Sequence, residues 1–284
     1  MPKVSVCIPA YNGEKYIEKA IESVLRQSYT NFELVIIDDA SKDKTKEIVN
    51  SFSDKRIRFI KNEINIGMVE NWNRCLDNAI GEYILLLGND DFIAENCLEK
   101  KVNAFDINDE ICLVFSSSYI VNETDKIVMR KRPFHSEQLF DGKDLGRRSF
   151  IRKNLYGEPS NVLFKREVSK KVGCFDNRIC YSTDWDYWMK LCLLGKAYYI
   201  DEYLMYYRIS NTSVTSKLLK NINKSKLEQD DAQLVRNCLR NMELSKMDVI
   251  LHKFNIKLRT FARKIFLKLN AIVIKNEDRL HILS

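Results

Sequence analysis

A continuous apolar run, Tyr83-Ile84-Leu85-Leu86-Leu87, leads through Gly88-Asn89 into two adjacent carboxylates, Asp90 and Asp91. A run this short and wholly apolar, bounded by turn residues, is expected to be a strand buried on both faces of a parallel sheet. Such strands deliver their C-terminal residues to the crevice where open α/β sheets bind ligands. Two aspartates placed there offer hard oxygen ligands for Mg²⁺ or Mn²⁺, the usual companions of a diphosphate. An isolated Asp-Asp can equally be an acidic turn, so the rest of the chain decides.

The first forty residues repeat the construction. Val4 to Pro9 forms a short apolar strand, and Ala10-Tyr11-Asn12-Gly13 turns the chain after it. Between Glu14 and Gln27, apolar residues at Tyr16, Ile17, Ala20, Ile21, Val24 and Leu25 have the spacing of an amphipathic helix. Phe32 to Ile37 is the second strand, and it too ends on a carboxylate pair, Asp38-Asp39. Ser41 or Asp43 is expected to cap a helix starting near Thr45. A strand at Ile57–Ile60 and a helix from Ile66 to Ala79 precede the run at Tyr83. Strand and helix alternate, with acids at strand ends, as in a doubly wound nucleotide-binding domain.

Neither G-x-G-x-x-G nor G-x-x-x-x-G-K-[ST] occurs, which removes the main support for a dinucleotide or P-loop site. A site built on aspartates rather than backbone amides needs a metal to neutralise phosphates.

At this point the residues resemble the inverting glycosyltransferases of family 2, which have the GT-A fold. Val4 to Asn12 is similar to their opening strand and nucleotide loop, and Val35 to Thr45 to their second strand. Asn65-Ile66-Gly67, Asn73 and Ala79 to Ile84 precede the acidic pair as in the family. Pro159 to Glu167 and Asp184-Trp185-Asp186-Tyr187-Trp188 resemble its acceptor half. The resemblance covers roughly residues 3 to 215. Two positions depart from it. Gly88 stands first in the family's Asp-x-Asp-Asp, and Ser210 stands where the motif opened here by Tyr207-Arg208 commonly carries a histidine.

The resemblance implies an α/β fold: a GT-A nucleotide-binding domain with a mostly parallel central sheet flanked by helices. It would occupy residues 1–216, with a nucleotide-sugar half over about 1–100 and an acceptor half over about 101–216. Pro9 and Tyr11 would border the base, and Asp39 would accept a hydrogen bond from a uracil or thymine N–H. Asn73 belongs to the same nucleotide set. Asp90 would contact the ribose and Asp91 would ligate Mn²⁺ or Mg²⁺. With Ser210 in place of histidine, Arg208 is expected to carry the diphosphate contact. The attacking hydroxyl must lose its proton to a carboxylate, and Asp184 aligns with the family's final acid. Asp184 can also be read as an N-cap of a helix from Trp185 to Leu194. Asp38 is open to either a bracing role or nucleotide contact. Trp185 and Trp188 could stack on a sugar, with core packing the competing role for Trp188.

The donor implied is a UDP- or dTDP-sugar, and the acceptor a glycan or lipid-linked hydroxyl in surface polysaccharide biosynthesis. Two alternatives stay open. One is a nucleotidyltransferase, although Ala10-Tyr11-Asn12-Gly13 lacks the basic, glycine-rich loop that class usually shows. The other is a nucleotide-sugar-binding protein of the same fold with impaired turnover.

Eight cysteines without C-x-x-C spacing are expected to be mostly reduced core residues. His135, His252 and His281 have no metal-ligand spacing and are expected at the surface. No hydrophobic leader follows Met1 and no apolar run approaches a membrane span, so the expected location is the cytoplasm. The net charge of +7 resides in the tail: residues 217–284 hold 15 Lys and Arg against 7 Asp and Glu. This basic helical C-terminal extension places Phe254, Leu258, Phe261, Ile265 and Leu269 at helical spacing among lysines and arginines. Such a helix either packs on the domain with a solvated basic face or lies on an anionic membrane surface, at the inner face of the plasma membrane. No nucleic-acid-binding module accompanies the charge.

Overall fold

The computed structural model describes residues 1–210 and 224–258. Its first half alternates β1 (Val4–Ala10), α1 (Ile17–Leu25), β2 (Phe32–Asp38), α2 (Thr45–Asn50), β3 (Ile57–Lys61), α3 (Met68–Asn78) and β4 (Tyr83–Leu86). There follow β5 (Phe92–Ile93), α4 (Cys97–Ala104), β6 (Ile111–Val121), β7 (Ile127–Lys131), β8 (Gln138–Asp141), α5 (Gly142–Arg152), β9 (Leu163–Lys165), α6 (Arg166–Val172), α7 (Thr183–Cys192), β10 (Lys196–Arg208) and α8 (Lys224–Asn241). A last helix, α9, covers 246–258.

The strands form one sheet in the order β3-β2-β1-β4-β9-β6-β10-β5, with β7 beside β6 and β8 beside β10. β3, β2, β1 and β4 run parallel, as do β6 and β10, while β9 is antiparallel between β4 and β6. The two-residue period of a strand explains why these segments are apolar throughout. Val4, Val6, Ile8, Leu34, Ile36 and Leu85 enter the core on one face. Cys7, Val35, Ile37, Ile84 and Leu86 enter the core on the other. Each such aliphatic side chain contributes about 1.5–3 kcal/mol by leaving water. The helices α1, α2 and α4 cover the first face, and α3, α5, α6, α7 and α8 the second.

Leu234, Val235 and Cys238 of α8 are buried in the same core as Phe115 and Trp188. The described part of the C-terminal extension is therefore packed on the domain. Its continuation, with Phe261, Ile265 and Leu269, lies outside the described residues. All eight cysteines are free thiols, and six of them are buried. His135 is exposed, but His252 is corrected from surface to core. It has no exposed area, stacks on Phe150, and hydrogen-bonds the Phe150 carbonyl at 2.6 Å and Asp231 at 2.8 Å.

Candidate active site

The parallel ladder carries the two acidic strand ends to one edge. The Asp39 N–H donates to the Ala10 carbonyl, and the Leu87 N–H to the Cys7 carbonyl, each at 2.8 Å. A cavity of about 700 Å³ opens there, bordered by Pro9, Tyr11, Asp39, Asp90, Asp91 and Asp184. Residues separated by most of the chain thus share one wall-to-wall space.

Asp39 is held by the entry to α3. One carboxylate oxygen accepts from Asn62 Nδ2 at 2.7 Å and the Ile66 N–H at 2.8 Å, and the other from the Gly67 N–H at 2.9 Å. Gly67 has φ +90, a left-handed conformation that glycine adopts without steric cost. Only 2 % of Asp39 is exposed, so what it can offer a ligand is one remaining acceptor site. Asp38 has no exposure and braces the turn by accepting from the Ser41 N–H at 3.2 Å. Asp43, one residue ahead of the N-cap position Lys44, accepts from the Thr45 N–H at 3.0 Å, and Ser41 accepts from the Asn12 N–H instead.

The carboxylate pair is fixed from three sides. Ser160, in the turn Pro159–Asn161, donates its hydroxyl to one oxygen of Asp91 at 2.5 Å and accepts from the Gly88 N–H at 2.9 Å. The other oxygen of Asp91 accepts from the Arg208 N–H at 2.9 Å. The Arg208 guanidinium donates to the Asp90 carbonyl at 2.8 Å and pairs with Asp125 at 2.5 Å. Burial raises the Asp91 carboxyl well above the usual range, and the neighbouring Asp90 adds to it; burial likewise raises Asp90. Gly88 leaves open the space over the pair. A Cβ there would lie 2.9 Å from an Asp91 oxygen and 3.1 Å from an Asp90 oxygen. Two crowded carboxylates facing a space kept clear of side chain suit a hard divalent cation. Among the described residues no third His, Cys, Asp or Glu joins them.

Asp184 enters the cavity from the first turn of α7. The N-cap of that helix is Ser182, so Asp184 is not the cap, and its carboxylate is open to the cavity. One oxygen accepts from Asn154 Nδ2 at 3.2 Å. Burial pushes its pKa up to about 7, with Glu158 adding to the rise and Lys131 opposing it. Lys131 and Glu158 form an ion pair at 2.7 Å beside it. A carboxyl titrating near neutrality is suited to take a proton. The loop leading to α7 is tied to the C-terminal helices. Asp230 of α8 accepts from the Cys180 and Tyr181 N–H groups at 3.0 and 2.6 Å, and Asn237 donates to Asp176 and Asp186.

Two residues expected at the nucleotide are bonded to other parts of the protein in this structure. Asn73 clamps the Phe175 backbone with both its side-chain atoms, at 3.2 and 2.7 Å, and does not border the cavity. Asn71 does, because residues two apart project to opposite sides of a helix. Arg208 is 1 % exposed and is bonded to Asp91 through its N–H and to the Asp90 carbonyl through its guanidinium. Trp188 is a core residue, whereas Trp185 borders the cavity and donates its indole N–H to Ser149 at 2.8 Å. Asn73→Ala is expected to cost about 1–3 kcal/mol of stability, the penalty for unpairing buried backbone groups. Nucleotide affinity should stay at the wild-type value; calorimetry beside a melting curve separates the two.

Sequence reasoning did not find Ser160, Lys131, Glu158 or Asp230. Ser160 alone carried a signal, since it lies in the Pro159-Ser160-Asn161 segment; the other three act across long loops.

The glycosyl transferase family 2 model matches residues 5–173. An uncharacterised glycosyltransferase of Methanocaldococcus jannaschii is 33% identical over 232 residues, 80% of this chain and 76% of the relative. One from Rickettsia typhi is 28% identical over 225 residues, 78% of this chain and 68% of the relative. Among solved structures, S. aureus TarS 1-349 in complex with UDP aligns with a TM-score of 0.69 at 20% identity, over 89% of this chain and 70% of that one. A mannosyltransferase from Pyrobaculum calidifontis in complex with GDP-Man and Mn²⁺ aligns with a TM-score of 0.62 at 18% identity, over 89% and 69%. At these identities the structural likeness establishes the fold.

Proposed function

Because the chain belongs to glycosyltransferase family 2 and has the GT-A fold, we propose that it transfers a sugar with inversion from a UDP- or dTDP-sugar. The acceptor is a hydroxyl of a glycan or lipid-linked saccharide in surface polysaccharide biosynthesis, handled at the cytoplasmic membrane face. Family membership sets the nucleotidyltransferase alternative aside. The observation that carries the reading is one cavity holding both the Asp90–Asp91 pair and Asp184, whose pKa is near 7.

Asp184 takes the proton of the acceptor hydroxyl as its oxygen bonds to the anomeric carbon. The bond from that carbon to the phosphate oxygen breaks, and its electron pair leaves with the nucleoside diphosphate. Asp90 contacts the ribose, and Pro9 and Tyr11 flank the base. Mn²⁺ or Mg²⁺ held at Asp91 would supply charge neutralisation for the diphosphate. Ser160 and Arg208 keep Asp91 in place for that role. The space that Gly88 leaves over the pair supports turnover rather than the impaired-binder reading.

The spare acceptor site of Asp39 favours a base that donates. Uracil and thymine present an N3–H, whereas cytosine presents an acceptor at N3. UDP and dTDP are expected to raise the melting temperature in the presence of Mn²⁺, as ligands selective for the folded state do, and CDP to raise it far less. Equal stabilisation by all nucleoside diphosphates would remove the base-reading role from Asp39. Absence of any donor hydrolysis by the intact chain would overturn the transferase reading.

A further inference from the structure

Helix α9 is inverted relative to an ordinary surface helix. Its polar residues face the protein: Asp248 is 2 % exposed and pairs with Arg147 at 2.8 Å, His252 has no exposure, and Asn255 donates to the Ile151 carbonyl at 3.0 Å. Its outer face is apolar. Met247, Ile250, Leu251, Phe254 and Leu258, at spacings of three and four residues, are 39 to 61 % exposed. Amphipathic helices of soluble domains normally turn that stripe inward, and a contiguous exposed apolar patch marks an interaction surface.

The charge around the stripe says what covers it. Lys246, Lys253 and Lys257 are exposed beside it. From 249 to 276 the sequence carries seven Lys and Arg and no Asp or Glu. Covering the stripe with a second copy of itself, or with the cationic segment that follows it, would bring like charges together. A bilayer containing anionic lipid satisfies both features, since it takes apolar side chains at the headgroup boundary and attracts the flanking cations.

We propose that the outer face of α9 is a docking surface for an anionic lipid bilayer, entered by Ile250, Leu251, Phe254 and Leu258. This deepens the lipid-linked-acceptor reading and rests on it for its purpose. The same end of the chain reaches the catalytic wall, because His252 ties α9 to Asp231, and the adjacent Asp230 holds the Cys180 and Tyr181 N–H groups. Docking there sets the cavity's acceptor wall at a fixed place relative to the membrane.

The test is co-sedimentation of the full chain with vesicles of phosphatidylcholine alone or mixed with phosphatidylglycerol. Binding is expected to the mixed vesicles only, and to weaken as salt is raised. Ile250→Glu with Phe254→Glu should abolish it, and Lys253→Ala with Lys257→Ala should weaken it about 25-fold, roughly fivefold per cation. None of the four side chains borders the cavity, so donor hydrolysis should be unchanged in both variants. The proposal is overturned if the full chain ignores anionic vesicles at low salt, or if the glutamate variant binds as well as wild type. It is equally overturned if that variant instead abolishes a self-association of the wild-type chain. Vesicle binding without any donor turnover would remove the transferase reading and leave the docking surface standing.

Discussion

Asp184→Asn should lower kcat by roughly two to four orders of magnitude, the usual contribution of a general base, while donor affinity stays near the wild-type value. The asparagine keeps the size of the side chain and an oxygen to accept from Asn154. Wild-type activity should rise with pH through about 7 and then level off, as Asp184 loses its proton beside Glu158 and Lys131. A stability measurement gives an independent reading of the same group. Its carboxyl is raised from 3.8 to about 7 on folding. The stability it contributes is therefore fully present below pH 3.8 and is lost as pH rises through about 7. Asparagine escapes that loss, so above neutral pH the variant should be the more stable protein, by up to about 4 kcal/mol. Below pH 3.8 the two should melt alike. A variant that loses turnover, donor binding and stability together would make Asp184 a structural residue.

Asp91→Asn is expected to abolish transfer. Its affinity for UDP in Mn²⁺ should fall by at least about 10- to 100-fold, the range already seen when only an outer partner of a metal ligand is removed. The fold should survive, because the amide oxygen can still accept from the Arg208 N–H and the amide nitrogen can donate to Ser160. Ser160→Ala leaves the carboxylate in place but unties it, so it should show a smaller loss in the same direction. Transfer that persists in Asp91→Asn and in excess chelator would exclude a metal at this aspartate.

The strands and helices of the first half were legible because their signals are local. Phe32–Asp38 reads as a buried strand from its own residues, and α1 from spacings within fourteen positions. The acidic strand ends were legible for the same reason, since a parallel strand carries its last residues to the ligand edge. The intraprotein contacts of Asn73 and Arg208 were not. Asn73 bonds to a backbone 102 residues away, and Arg208 to Asp90 across 118. A motif fixes which residue type occupies a position, but the direction its side chain takes depends on packing partners that no local pattern encodes. The high pKa of Asp184 was hidden for a like reason. It comes from burial and from the neighbouring Glu158, which stands 26 residues earlier in the chain, as Asn154, bonded to the same carboxylate, stands 30 earlier.

The bond from the Arg208 N–H to Asp91 spans 117 residues, and it is made by the final residue of β10. Contacts of such separation close late in folding, after local strand and helix pairs have formed. During synthesis, β1 to β4 leave the ribosome long before their carboxylate pair has its brace. The brace on Asp91 thus forms only once the last residue of β10 has been made and has joined the sheet.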